Sequence, residues 1–334
     1  MNGNAAFLHM AVNRLPGHYG WHKKQVLASC RDEKDLPDAI VEYGRLRSDR
    51  CRTPLPAAPR LMREAEGDLR RMRTYSIGYR ILGEGDYPAP LALIEDPPFI
   101  LFHRGTPHDA EKPCVAIVGT RRPGSAAQRQ AFRLGLEFSY AGYPVVSGLA
   151  FGIDRAAHEG ALSGSGTTWA VLAGGLDRPS PMAHRRIAAR IMDAGGSLLG
   201  EMPPGSYPAK YAFPRRNRIL SGLCRGCIVV QAPERSGALI TADFALDQNR
   251  DVYVASAGTS GRASAGTMNL EQQGAGVISS AADVLGDWGR FLDIRTVCSV
   301  SGPETPREVA RLMKQELNGR IYRYMGGWFE YRGA

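Results

Sequence analysis

The sequence predicts an α/β protein. It reads as an extended, Rossmann-like, doubly wound and mostly parallel sheet, with a small helical module before it and a small winged-helix-like module after it. Three observations carry that expectation. Short β-branched and apolar runs recur between positions 115 and 254, stretches with helical spacing fill the gaps between them, and several of the runs end on glycine. Strands that are apolar throughout must be covered on both faces, and strand–helix alternation makes them parallel. Right-handed crossovers then wind the helices onto both sides of the sheet.

Taken in order, residues 1–50 read as a small helical module, turned at Leu15-Pro16-Gly17. Residues 51–75 are rich in arginine and hold three prolines between Thr53 and Pro59, which predicts an extended linker. Residues 76–292 form the sheet domain. Its strands are expected at Val115–Val118, Pro144–Ser147, Thr167–Leu172, Ser197–Leu199, Cys227–Val230 and Asp251–Val254, and its helices within 125–141, 154–163, 182–194, 215–225 and 238–249. In the last module, 300–334, Thr305-Pro306-Arg307-Glu308 is a helix start. Val309, Leu312, Met313 and Leu317 give that helix one apolar face, and Arg320–Tyr324 and Trp328–Tyr331 flank Gly326-Gly327 as a hairpin.

The 334 residues carry 42 Lys+Arg against 33 Asp+Glu, a net charge of +9, which favours an anionic partner, nucleic acid before membrane. The longest apolar runs fall far short of the roughly 20 residues that cross a bilayer, so no membrane association is expected. Met1–His22 lacks the pattern of a signal peptide. Six scattered cysteines form no disulfide framework, which fits the cytoplasm.

In open parallel sheets, ligands sit at the carboxyl ends of the strands. Three glycine-marked ends therefore matter: Gly119–Ser125, Gly148–Asp154 and Ser236–Thr241. Small residues there let a ligand reach the backbone, and the following helix offers free N–H groups to a phosphate. Arg121 and Arg122 add charge to the first. That loop lacks the lysine of a nucleoside-triphosphate loop and the G-x-G-x-x-G of a dinucleotide site, which excludes both. The densest basic cluster, Lys210–Arg218, interleaves Tyr211 and Phe213 with arginines, as a single strand requires of its binder. Asp154 and His158 read as a capping acid and a packed histidine, and Cys224-Arg225-Gly226-Cys227 lacks the second pair of a zinc site. No metal, no cofactor and no catalytic residue is expected.

Val115–Arg121, Val145–Ala150 with Gly152-Ile153-Asp154 and Ala157-His158, Phe213-Pro214 with Arg216-Asn217-Arg218, and Ser236–Ala242 resemble, in order and spacing, the signature series of the DNA processing protein A (DprA/Smf) family. Tyr87-Pro88 through Gly105 resembles the family's lead-in to its Rossmann domain. The resemblance implies a homodimeric protein, not an enzyme, that binds and protects incoming single-stranded DNA. It also implies that the protein loads a RecA-type recombinase in natural transformation and recombination. The site residues carried onto this chain are Gly119, Thr120, Arg121, Arg216, Asn217 and Arg218, with Ser236 and Gly237 lining the crevice. Arg122, Ser125, Gly148, Lys210 and Phe213 join them from the charge, glycine and stacking considerations above. The alternative is a Rossmann-like nucleotide-binding enzyme or nucleotide sensor using the same crevice. The chain departs from the family pattern at Gln231, Ala257-Gly258, Ser180-Pro181 with His184, and Gly266–Asn269.

Overall fold

In the computed structural model, the described residues are 3–17, 20–47, 53–106, 113–164, 166–261, 263–289, 296–300, 308, 311–312, 321–324 and 327–332. The strands of the main sheet are β1 (Ile77–Ile81), β2 (Ile100–Gly105), β3 (Val115–Val118), β4 (Val145–Ser147), β5 (Thr168–Val171), β6 (Ser197–Gly200), β7 (Gly226–Val229), β8 (Asp251–Ala255) and β9 (Gly276–Ile278). The helices are α1 (Gly3–Asn13), α2 (Gly20–Ser29), α3 (Leu36–Leu46), α4 (Ala58–Tyr75), α5 (Ala89–Ala92), α6 (Ser125–Tyr140), α7 (Ile153–Ser163), α8 (Arg185–Asp193), α9 (Ala212–Leu223), α10 (Gly237–Asp247), α11 (Ala265–Gln272) and α12 (Ala281–Asp287).

The nine strands run in the order β1-β2-β6-β5-β4-β3-β7-β8-β9. From β6 to β9 all pairings are parallel, whereas β1 pairs antiparallel with β2, and β2 antiparallel with β6. The six expected strands are present. The β1–β2 pair and β9 are additional, because short half-buried runs carry little periodic signal. Alternate residues of the central strands serve opposite faces. Val115, Ile117, Val145 and Ile228 share a core with α6, α7 and α12, while Ala116, Val118, Val146 and Val229 share one with α9 and α10. The sheet is thus doubly wound, as its apolar strands required.

Helices α6 and α7 approach closely through two glycines. A Cβ on Gly135 would meet the Ala157 carbonyl oxygen at 2.3 Å, and one on Gly160 would meet that of Phe132 at 2.0 Å. Also on α6, Glu137 is 2% exposed and accepts from the Ala281 N–H at 2.7 Å, with Arg133 at 3.5 Å. Burial pushes its carboxyl up to about 7 from 4.5, against the opposing pull of Arg133 and of the Ala281 N–H. A raised folded-state pKa means stability that is present below the unfolded value and lost as pH rises through about 7. The unfolding free energy of Glu137→Gln relative to wild type, read from urea unfolding, should therefore grow between pH 5 and pH 8, by an amount on the order of 3 kcal/mol. A difference that stays flat across that window would show the carboxylate to be unperturbed.

The expected linker 51–75 is corrected over most of its length. From Ala58 onward it is the 18-residue helix α4, which buries Leu61, Ala65, Asp68 and Met72. The prolines act before and at the helix start, where a missing N–H and a fixed φ cost nothing. Asp68 is held by Arg14, in the turn directly after α1, through Nε at 2.8 Å. Residues of α1–α4 share one apolar cluster with Ile77, Ile100, Phe102 and Leu198 of the sheet. At the other end, β10 (Thr296–Val300), β11 (Ile321–Tyr324) and β12 (Gly327–Arg332) form a separate antiparallel sheet in the order β10-β12-β11. The hairpin is present with Tyr324 opposite Gly327. The expected helix over 305–317 lies mostly outside the described residues. Among the described residues, no helix is long and apolar enough to cross a membrane.

Candidate functional site

From β3 the chain proceeds through β4, β5 and β6 on one side, then returns to place β7, β8 and β9 on the other. The switch point lies between β3 and β7, where a crevice opens at the strand carboxyl ends. It is a cleft of about 380 Å³, and its walls are the loops after β3, β4 and β7 together with the start of α9. Three contacts weld these loops together. The Thr120 N–H donates to the Gln231 carbonyl at 2.7 Å, the Gly124 N–H donates to Gln231 Oε1 at 2.8 Å, and the Ile153 N–H donates to the Thr120 carbonyl at 3.3 Å. Gly119 has no room for a side chain, since a Cβ would lie 2.6 Å from Ile153 and 2.9 Å from the Gln231 carbonyl.

Nine of the thirteen expected site residues line this crevice: Gly119, Thr120, Arg121, Arg122, Phe213, Arg216, Asn217, Ser236 and Gly237. They are not equivalent. Arg121 and Arg122 are exposed, and the Arg121 guanidinium stands 5.6 Å from the centre of the Phe213 ring. That pair offers a phosphate-binding charge beside an aromatic face. Ser236 caps α10, accepting from the Ala238 N–H, and Asn217 Nδ2 donates to the Gly237 carbonyl at 3.0 Å, tying α9 to α10.

Arg216 sits below the crevice surface, 7% exposed, and its Nη1 donates to the Val171 carbonyl at 2.6 Å. Gly148 makes room for it, since a Cβ there would lie 2.0 Å from Nη1. Beneath it, Asp154 Oδ2 accepts from the N–H groups of Gly148 and Ala150 at 3.1 and 3.3 Å. Asp154 thus clamps the preceding loop rather than its own helix. Burial raises its carboxyl, and the Arg216 guanidinium is the largest force opposing that rise. Between the two clamped residues Leu149 adopts φ +57°, and its carbonyl accepts from His184 Nδ1 at 2.8 Å. A left-handed leucine persists only where both sides are held. His158 is fully buried against Thr168 Oγ1 at 2.8 Å, and burial drives its pKa down to about 3, which favours the neutral ring.

Four expected residues do not line the crevice. Lys210 is exposed on the turn before α9, Ser125 is exposed at the start of α6, and Gly148 lies underneath against Arg216. Arg218 is a correction. It is 5% exposed, with Nη2 donating to Glu201 at 2.7 Å and Nε 3.2 Å from Asp96, while Arg215 reaches the same Glu201 oxygen at 2.9 Å. Two residues of helix turn it about 200° from Arg216, into an acidic pair that consumes its charge. Sequence reasoning missed Arg235, which is exposed on the crevice rim, and Ile240 beside it. Arg235 directly precedes the Ser236-Gly237 strand end, so the same strand-end logic reaches it.

Residues 79–289 match the sequence profile of the DNA recombination-mediator protein A family. The DNA processing protein DprA of Streptococcus pneumoniae is 40% identical over 204 residues, covering 60% of this chain and 71% of that protein. The X-ray structure of DNA processing protein A from Streptococcus pneumoniae superposes with a TM-score of 0.66 at 29% identity, over 86% of this chain and 99% of that one. DNA processing protein A from Helicobacter pylori, solved for its single-stranded DNA binding mode, superposes with a TM-score of 0.55 at 27% identity, over 63% and 95%. With the profile match spanning the sheet domain and its crevice, the chain belongs to the DNA recombination-mediator protein A family.

Proposed function

We propose that the crevice at the β3–β7 switch point grips the backbone of single-stranded DNA, and that the protein does no chemistry on it. The observation that carries this is the set of three exposed guanidinium groups, Arg121, Arg122 and Arg235, around a cleft with Phe213 and Ile240 in its walls. Several outward cations suit a polyanion, and a half-buried ring in the wall suits a base. Asp154, the acid in the cleft wall, is committed to loop N–H groups, and Glu201 behind α9 to Arg215 and Arg218. On this reading the protein works in the cytoplasm as a homodimer. It protects incoming strands and hands them to a RecA-type recombinase in transformation and recombination, as its family membership suggests. The four described cysteines that are free thiols suit that compartment.

A salt titration tests the reading. Affinity for an oligothymidylate should fall with log salt at a slope of about 0.7 per phosphate contacted, and homopolymers should bind within about tenfold of one another. Arg121→Ala should weaken binding by about 1–3 kcal/mol with Tm unchanged. A shallow slope, together with tighter binding of mononucleotides than of strands, would point to a nucleotide site instead.

A further inference from the structure

Along the carboxyl edge of the sheet the crevice uses the loops after β7, β3 and β4, and the next strand in that row is β5. The loop after β5 leads through Met182 and His184 directly into α8. Phe151, in the loop after β4, is 45% exposed, and its ring meets the His184 ring edge-on at 4.5 Å. Met182, two residues before His184, is exposed as well. An aromatic face and an exposed thioether therefore bridge the crevice wall and α8.

Helix α8 reads Arg185-Arg186-Ile187-Ala188-Ala189-Arg190-Ile191-Met192-Asp193. Ile187, Ala188 and Ile191 are buried, and Arg185, Arg186 and Arg190 are exposed. The placement of the first two is electrostatically unfavourable for the helix alone. Two cations stand in the first turn with no acid there, against the macrodipole, and Arg186 and Arg190 repel each other at i,i+4. Helices α4, α6 and α7 pair arginine with glutamate four residues apart: Arg60–Glu64, Arg70–Glu66, Arg133–Glu137 and Arg155–Glu159. Among the described residues, none of the three α8 arginines has an acidic partner. An anion outside the chain would offset that cost.

We infer that Phe151 and the basic face of α8 form an outlying section of the DNA surface, which takes nucleotides of the same strand after they leave the crevice. This rests on the crevice being a strand site. Neighbouring strands lie about 4.8 Å apart, so the row from β7 to β5 spans about 14 Å, enough for a strand to run across the sheet edge rather than into it. The bound strand is therefore longer than the crevice can hold. Its outer phosphates meet Arg185 and Arg186, and one base lies on Phe151.

The test uses the full chain with oligothymidylates of about four and about 20 nucleotides, bracketing the usual site sizes. Replacing Arg185 and Arg186 together by alanine should leave the short strand within twofold of wild type. The long strand should bind about tenfold more weakly, with the salt slope shallower by about 1.4. Phe151→Leu, which keeps an apolar neighbour for His184, should weaken the long strand about fivefold and spare the short one. Unchanged affinity and slope for the long strand in both variants would overturn the inference while leaving the crevice intact. Equal loss for both lengths would overturn it too, since α8 would then belong to the crevice itself. Failure of the underlying reading shows separately, as Arg121→Ala leaving both lengths unaffected.

Discussion

Arg216→Ala should destabilise the protein by about 1–3 kcal/mol, the range for leaving a buried acceptor without its charged donor. The guanidinium is the principal charge opposing the rise of the Asp154 pKa, and it supplies the donor for the Val171 carbonyl. Without it, a carboxylate that clamps Gly148 and Ala150 is left buried with no counter-charge, and Val171 loses its side-chain donor. For a domain of this size the loss corresponds to a Tm lower by roughly 2–12 °C. Urea unfolding of the variant beside Arg121→Ala checks it. The first should lose stability, the second only affinity. If Arg216→Ala kept its stability and lost only DNA, the residue would be a ligand contact and the burial argument wrong.

Gly160→Ala should cost about 3 kcal/mol, at the upper end for overpacking, because the new methyl would meet backbone rather than a side chain that can move. Separating α6 from α7 also drags on the Gly152–Asp154 segment at the start of α7, so strand affinity should fall with stability. Gly286→Ala, in α12 with open space around the glycine, should be neutral or slightly stabilising by the same measurement. Equal urea midpoints for the two variants would mean that α6 and α7 are free to separate.

The central sheet was legible because a buried parallel strand announces itself. Val115–Val118 and Cys227–Val230 are apolar at every position, since both faces of the sheet are covered. The α4 helix was not legible from its first residues, because Pro54, Pro56 and Pro59 look like linker until the amphipathic spacing of Leu61, Ala65 and Met72 is followed through. The cleft lies at the glycine-marked strand ends, which record where backbone must approach backbone. What a row of arginines does was less readable. Arg121, Arg216 and Arg218 are one residue type, yet one is open, one is buried under Gly148 and one is neutralised by Asp96 and Glu201. The partners that decide this lie up to 122 residues away in the chain, at Asp96, Asp154, Val171 and Glu201, and no local pattern reports them.

The antiparallel β1–β2 pair has a bearing on how this chain can be cut. Strand β6 is buried at every position, and its outer backbone groups are taken by β2, with Phe102 opposite Gly200 and Gly105 opposite Ser197. A fragment beginning after residue 112 would keep the crevice and all seven parallel strands. It would also uncover an unpaired apolar edge of the kind that templates sheet-to-sheet association. The segment 77–105 is thus a guard against self-association, and a minimal crevice-bearing fragment that stays monodisperse has to retain it.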